Sequence, residues 1–265
     1  MYNSFQLASK YLCYYLKAFN GKGHGMHSPF IFDFMSRVLN DKQLYPAYEK
    51  VEELRHRLLR NKEKIEVEDF GAGSSIDKSD RRTISSITKN AAKPEKYGQL
   101  LYRMIKYYRP ETILELGTSL GITTSYLALA NQEAEVTTME GSPSVVSIAK
   151  KNFTSLGAKN VNIVEGDFDS TLSGVMSKFS SIGFAFLDGN HREEPTVRYF
   201  KQVAGKISND SIVVLDDIHW SAGMEAAWQT IKNHSSVKCS VDLFFIGIVF
   251  FREEFHEKQH FSIRF

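Results

Sequence analysis

From residue 97 onward, short apolar segments alternate with longer segments of helical spacing. The short segments TILEL, EVTTME, NVNIVEG, FAFLDG and SIVVLDD are typical of strands, and helices are predicted between them, for example over 97–108, 123–130 and 144–156. This alternation favours an α/β fold with a mostly parallel sheet and helices on both faces, because parallel strands need long crossover connections. The last apolar stretch, KCSVDLFFIGIVFFRE, predicts an antiparallel hairpin that turns at Gly247 and closes the sheet edge.

The first 95 residues lack this alternation. Helical spacing recurs in the aromatic-rich start and over Phe32–Leu39 and Tyr48–Leu59. The glycine-containing stretches GKGHGMHSPF and VEDFGAGSS predict loops. We therefore divide the chain into a helical N-terminal extension, residues 1–95, and a second domain, residues 96–265.

Charge and cysteine content exclude several function classes. The 33 basic and 31 acidic residues leave a net charge of +2, which is too even for binding of nucleic-acid phosphates to be the default interpretation. Cys13 and Cys239 cannot build a disulfide framework or a cysteine-rich zinc module. No stretch reaches the roughly 20 apolar residues of a membrane span. We expect a soluble cytoplasmic protein that acts on a small molecule and binds neither nucleic acid nor membrane, with a homodimer as a candidate assembly.

Acidic residues end all five predicted parallel strands. Ligands of open parallel sheets bind beyond the carboxyl ends of the strands, where carboxylates would repel a triphosphate or a pyrophosphate. They suit a ligand that carries hydroxyls and positive charge, such as S-adenosylmethionine with its ribose diol, ammonium group and sulfonium. In chain order the acidic residues are Glu115, Glu140, Glu165 with Asp167, Asp188, and Asp216 with Asp217.

The first of these strands continues into a glycine loop, ILELGTSLG. Gly117 permits a sharp turn, Gly121 permits close approach of helix and ligand, and Glu115 can hold the turn or the ligand's amino group through water. Glu140 lies about 20 residues beyond the loop, the usual distance for an acid that reaches a ribose. Tight packing of the helix on the strand is the alternative reading of the two glycines alone.

A second glycine loop, FGAGS at residues 70–74, also follows an apolar run and an acidic residue. No clear helix follows it, and no second strand ends in an acid about 20 residues on. We interpret it as a hairpin or lid loop and keep it as the alternative cofactor loop.

Six stretches between Lys96 and Glu253 resemble the class I S-adenosylmethionine-dependent methyltransferases, and within that class the catechol and caffeoyl-coenzyme-A type O-methyltransferases. They are KYGQLLYRMI, ILELGTSLGITTSYLALA, VTTMEGSPSVVSIAKKNF, NIVEGDF, FAFLDGNH and IVVLDDIHW. The resemblance implies a Rossmann-like fold, methyl transfer from S-adenosylmethionine to an oxygen of a small molecule, and an N-terminal extension that serves as a substrate lid. The resemblance places Gly117, Thr118, Ser119 and Gly121 near the methionine moiety, Glu140 near the ribose, and Asp167 and Phe168 near the adenine. We also predict Glu115, Gly141, Ser142 and Asp188 as cofactor-binding residues.

Two positions depart from the family pattern. Where the family carries a lysine that assists deprotonation of the acceptor, three residues after the acid of the fourth strand, this chain has His191, which can do the same near neutral pH. Where the family's fifth strand ends in Asp-Asn at a divalent metal, this chain has Asp216 and Asp217, which keep oxygen ligands for Mg²⁺ or Ca²⁺. We predict His191 and Asp188 as catalytic residues and Asp188, Asp216 and Asp217 as converging metal ligands. A capping role for His191 and a local turn at Asp217 are the structural alternatives.

Two other functions stay open. The chain could bind the cofactor without catalysis, or it could be a nicotinamide-dependent oxidoreductase, although neither glycine loop satisfies GxGxxG. Weaker site candidates lie elsewhere in the sequence: His24 and His27 in a lid segment, Arg81 and Arg82 toward an acidic group, and Trp220, beside His219, as the wall of an aromatic acceptor site.

Overall fold

The computed structural model describes residues 1–22, 27–68 and 81–265. The chain forms two compact units, which we name the middle unit, Lys42–Gly174, and the split unit, Met1–Asp41 with Val175–Phe265. Within the described ranges, no helix combines the length and the apolar character that crossing a membrane requires. The functional division of the chain at residue 95 stays a prediction.

From Glu95 to Lys232, α-helices and β-strands alternate along the chain as the sequence predicts. The helices are α1 (Ser4–Lys17), α2 (Pro29–Phe34), α3 (Pro46–Arg60), α4 (Ile84–Ala91), α5 (Glu95–Tyr108), α6 (Ile122–Ala130), α7 (Pro143–Leu156), α8 (Phe168–Lys178), α9 (Glu193–Ala204) and α10 (Ala222–Lys232). A π-helical segment, Met35–Leu39, continues α2. The strands are β1 (Lys64–Glu66), β2 (Arg81–Thr83), β3 (Thr112–Leu116), β4 (Glu135–Glu140), β5 (Val161–Glu165), β6 (Ile182–Leu187), β7 (Ile207–Asp216), β8 (Cys239–Asp242), β9 (Ile246–Phe250) and β10 (Gln259–Ser262).

In the middle unit, β3, β4 and β5 lie side by side in parallel. Their register pairs Glu115 with Thr138 and Glu140 with Glu165. The interiors of β3 and β4 are buried, as expected for parallel strands covered by helices. Because the strands run in the same direction, the acidic residues at their carboxyl ends lie along the same edge.

In the split unit, five strands follow the order β10–β8–β9–β7–β6. β6 pairs with β7 in parallel, whereas β9 runs antiparallel to both β7 and β8. The predicted fold class, an α/β fold with a mostly parallel sheet and a C-terminal antiparallel hairpin, is confirmed.

The predicted hairpin turn at Gly247 is wrong. Gly247 lies inside β9, and a Cβ atom there would come within 2.7 Å of the Trp228 ring, so the glycine makes room for the indole. The chain turns earlier, where the Leu243 N–H donates to the Ile246 carbonyl and the Asp242 carboxylate accepts from the Phe244 N–H. Aspartate favours this kind of turn because its side chain binds the backbone two residues on.

Strand β10 was not predicted. It pairs in parallel with β8, so the hairpin does not close this edge of the sheet as predicted. At four residues, β10 is too short for its apolar periodicity to be read from the sequence.

In the N-terminal part, β1 and β2 form a short antiparallel pair of three residues each. In the sequence they precede and follow the FGAGS loop, which we interpret as a hairpin or lid loop.

Candidate functional site

The glycine loop after β3 is tightly folded. Gly117 and Gly121 have φ values of 105° and 80°, and Ser119 lies between them at 48°. The N–H groups of Gly117 and Thr118 both donate to the Met139 carbonyl at 3.1 Å, which holds the loop against β4. A Cβ atom on Gly121 would lie 2.5 Å from the nearest ring carbon of Phe153 on α7. Gly121 therefore serves both the left-handed backbone and the close packing at the start of α6.

Glu140, the last residue of β4, is held by two backbone donors. The N–H of Ser119 donates to its Oε2 atom at 2.9 Å, and the N–H of Ser142 donates to its Oε1 atom at 3.0 Å. Gly141 lies between Glu140 and Ser142 at the start of α7. The carboxylate is thus oriented by the same glycine loop that the sequence singles out.

Glu115 lies on β3 and is fully buried. Its Oε2 atom accepts hydrogen bonds from the hydroxyls of Thr124 and Thr138, and among the described residues its Oε1 atom has no hydrogen-bond partner. Burial raises the pKa of Glu115 to about 7, against the opposing effect of the two threonine hydroxyls. A carboxyl group of this kind can exchange its proton near neutral pH.

Asp167 and Phe168 follow β5 at the same edge. The N–H of Gly166 donates to the Glu140 carbonyl at 2.9 Å, so the segment that carries Asp167 is anchored on the end of β4. Gly166 has a φ of 136°, and Asp167 accepts from the N–H of Ser170 at the start of α8. The middle unit therefore brings together the predicted cofactor residues of three neighbouring strand ends. These residues are Glu115, Gly117, Thr118, Ser119, Gly121, Glu140, Gly141, Ser142, Asp167 and Phe168.

The split unit holds a second group, which we name the acid–histidine cluster: Asp188, His191 and Asp216. Each residue offers one ligand atom, and these atoms lie within 4.8 Å of one another. Nε2 of His191 lies 3.5 Å from Oδ1 of Asp188, and Asp216 is buried at the end of β7. Two carboxylates with an imidazole form a donor set that can hold a divalent cation or move a proton.

Asp217, the third predicted metal ligand, is not a member of the acid–histidine cluster. Its backbone is left-handed, with a φ of 53°, and its N–H donates to the Phe245 carbonyl at 2.7 Å. The predicted convergence thus joins Asp188 and Asp216, with His191 in the place expected for Asp217.

His219 and Trp220 follow in the segment Asp217–Ser221, which we name the β7–α10 loop. Nε2 and Nδ1 of His219 lie 2.8 Å and 3.0 Å from carboxylate oxygens of Asp242 and Glu225, outside the acid–histidine cluster. The Trp220 ring lies at the cluster, with its centroid 5.7 Å from that of His191. The sequence analysis does not identify Glu225 as a partner of His219, because nothing in the helical pattern of α10 distinguishes this residue.

Three of the other weaker candidates lie among the described residues, and none is a member of these two groups. His27 is exposed, and Arg81 and Arg82 lie on β2, paired in register with Glu66 and Ile65. His24 and the FGAGS loop, residues 70–74, lie outside the described residues.

Known proteins match the part of the chain that holds these residues. Residues 114–218 match a family model described as a methyltransferase domain. A curated relative, the tRNA (guanine-N(7)-)-methyltransferase of Mycoplasma mobile, is 27% identical over 147 residues, which cover 49% of this chain and 73% of that protein.

Two solved structures are similar in fold. A methyltransferase from Podospora anserina with bound S-adenosylhomocysteine matches with a TM-score of 0.59 at 12% identity, covering 95% of this chain and 98% of that chain. An O-methyltransferase of tomaymycin synthesis from Streptomyces achromogenes, in complex with S-adenosylmethionine, matches with a TM-score of 0.57 at 16% identity, covering 79% and 91%.

Proposed function

We propose that this chain, a class I S-adenosylmethionine-dependent methyltransferase, transfers a methyl group to an oxygen of a small molecule. The matched methyltransferase domain includes the glycine loop, Glu140 and the end of β7. The observation that carries the proposal is the oriented carboxylate of Glu140 beside a left-handed glycine loop.

The residues of the middle unit fit S-adenosylmethionine. A carboxylate accepts hydrogen bonds from hydroxyl groups, and the two backbone donors fix the orientation of the Glu140 carboxylate at the end of β4, where it would meet the ribose hydroxyls. Asp167 and Phe168 are proposed for the adenine, and the glycine loop, with Glu115, for the methionine moiety. The cofactor supplies a methyl group on a sulfonium, which is open to in-line displacement by an acceptor oxygen.

We propose that the acid–histidine cluster binds and activates the methyl acceptor. The carboxylates of Asp188 and Asp216 suit Mg²⁺ or Ca²⁺, which take oxygen ligands at roughly 2.0–2.6 Å, and this leaves the imidazole of His191 to act as a base. A cation there would lower the pKa of an acceptor hydroxyl. His191 is the proposed base that takes the hydroxyl proton, and Asp188 orients its ring.

The nearly even charge supports a small-molecule acceptor rather than a nucleic acid. Reduced cysteines support a cytoplasmic location, since the described chain has Cys13 and Cys239 as free thiols. A homodimer through α1 is supported by Phe5, Leu12 and Leu16, which are 83%, 59% and 70% exposed and recur at helical spacing.

The test is incubation of the protein with methyl-labelled S-adenosylmethionine and a panel of hydroxylated small molecules, with mass spectrometry of the products. Matched methyl ethers and amines of the same ring systems serve as controls. Label on a hydroxyl oxygen supports the proposal. Label found only in added tRNA would assign a nucleic-acid acceptor instead, and cofactor binding without any labelled product would favour a binding protein.

A further inference from the structure

Tyr2, just before α1, and Lys10, on α1, both contact α10 through their side chains. The Tyr2 hydroxyl donates to Oε2 of Glu225 at 2.8 Å, and Nζ of Lys10 lies 3.0 Å from both carboxylate oxygens of Glu225. The Lys10 and Glu225 side chains are 37% and 25% exposed. An ion pair with that exposure contributes little to stability, typically about 0–1 kcal/mol, so the arrangement calls for another explanation.

Glu225 also contacts His219. Nδ1 of His219 lies 3.0 Å from Oε1 of Glu225, and its Nε2 lies 2.8 Å from Oδ2 of Asp242. The ring also stacks on Phe244, with centroids 5.0 Å apart and planes 24° apart. Both ring nitrogens and one ring face are therefore engaged, and the ring is fixed in one orientation.

A backbone contact fixes the next residue of the β7–α10 loop. The N–H of Tyr2 donates to the Trp220 carbonyl at 3.0 Å, and the N–H of Trp220 donates to the Asp217 carbonyl at 3.0 Å. The Trp220 ring in turn lies against His191 of the acid–histidine cluster. One chain of contacts thus runs from α1 to the aromatic surface beside the proposed base.

We propose that Tyr2, Lys10 and Glu225 are positioning residues that hold Trp220 beside His191 as one wall of an aromatic acceptor site. Helix α1 then determines acceptor affinity without touching the acceptor. This inference rests on the proposed function for the nature of the ligand, but its structural part is independent of catalysis.

The structural part is tested by acrylamide quenching of tryptophan fluorescence. The chain has two tryptophans, and Trp228 is 1% exposed, so quenching reports mainly on Trp220. In the Tyr2→Phe/Lys10→Met double variant and in Glu225→Gln, the quenching constant should rise at least about twofold because Trp220 is no longer held. Trp220→Phe should abolish the accessible component. Lys17→Met, on the same helix, is the matched control and should behave as wild type.

Circular dichroism and urea unfolding show whether each variant is folded. If the double variant does not fold, Glu225→Gln still provides the test, because glutamine keeps the shape of the glutamate side chain. An unchanged quenching constant in folded variants would overturn the inference.

The kinetic arm uses an aromatic hydroxyl acceptor identified by the labelling experiment. The acceptor KM should rise at least about fivefold in Glu225→Gln, with kcat within about twofold and unchanged S-adenosylmethionine affinity, because positioning alone is lost. Trp220→Leu should raise KM similarly. A KM equal to that of wild type would contradict the inference, whereas absence of transfer in the wild-type protein would refute the proposed function and leave the quenching result to decide the positioning role.

Discussion

The backbone N–H of Ser119 lies 2.9 Å from Oε2 of Glu140 and donates a hydrogen bond to it. This bond joins the glycine loop after β3 to the acid at the end of β4, the two features that the sequence places about 20 residues apart. The carboxylate is consequently oriented before any ligand arrives, which lowers the cost of binding.

Replacement of Gly121 by alanine should destabilise the protein. The residue has a φ of 80°, and a Cβ atom would lie 2.5 Å from a Phe153 ring carbon, so strain and overpacking add to roughly 2–4 kcal/mol. Gly157→Ala is the matched control, because its φ is 70° but nothing lies within 4 Å of the added atom. Urea unfolding should show a loss of about 1 kcal/mol for the control. Equal losses for both variants would contradict the packing role of Gly121.

Glu115→Gln should remove the loss of folding stability that deprotonation of the buried Glu115 causes at high pH. The folded-state pKa of Glu115, about 7, lies above the ordinary value of 4.5, so the folded protein binds more protons than the unfolded chain between these pH values. The contribution of Glu115 to stability therefore falls as pH rises from about 4.5 to 7, by up to roughly 3 kcal/mol.

The measurement is the free energy of unfolding at pH 5 and pH 8. Relative to wild type, Glu115→Gln should gain stability at the higher pH, whereas Glu111→Gln, exposed just before β3, should show no such gain. A difference between Glu115→Gln and wild type that stays constant with pH would refute the buried, proton-binding state.

Asp216→Asn should weaken binding of a divalent cation. The residue contributes one of three ligand atoms that lie within 4.8 Å, and an amide is a weaker ligand than a carboxylate. Calorimetric titration with Mg²⁺ should show at least about tenfold lower affinity than in wild type. Asp210→Asn, at the exposed other end of β7, is the control and should bind normally. If the wild-type protein binds no cation, the proposed metal site is wrong.

His191→Ala should lower kcat by about 10²–10⁴-fold, the usual contribution of a general base. His256→Ala, at an exposed turn, should leave kcat unchanged. Full activity of the wild-type enzyme after exhaustive chelation, together with loss of activity in His191→Ala, would describe a metal-free enzyme with His191 as base. Unchanged kcat in His191→Ala would reject that role.

The sequence predicts the parallel strands well because their signals are local. Strand β3 covers TILEL and β4 covers EVTTME as predicted, since each apolar run ends at an acid or a glycine. The prediction of a turn at Gly247 was wrong because a glycine can permit close packing as well as a turn. Only the position of Trp228 in the fold distinguishes these two roles.

The site is less readable because its geometry depends on backbone conformation and on contacts between distant residues. Asp216 and Asp217 are neighbours in sequence, yet only Asp216 belongs to the acid–histidine cluster. The backbone at Asp217 is left-handed, which a sequence pattern does not reveal. Lys10 and Glu225 are 215 residues apart, and no periodicity in either helix predicts their contact. Separations of that length are set by the tertiary fold.

The most direct measurement is calorimetric titration with S-adenosylmethionine of the wild-type protein, Glu140→Ala and Glu135→Ala. Glu135 is exposed at the opposite end of the same strand and serves as the matched control. We predict that the wild type and Glu135→Ala bind equally, and that Glu140→Ala loses about 1.5–3 kcal/mol, roughly a 10- to 150-fold rise in Kd, because hydrogen bonds to a charged group are lost. Absence of binding to the wild type, or the same Kd for all three proteins, would contradict the assignment of the cofactor site.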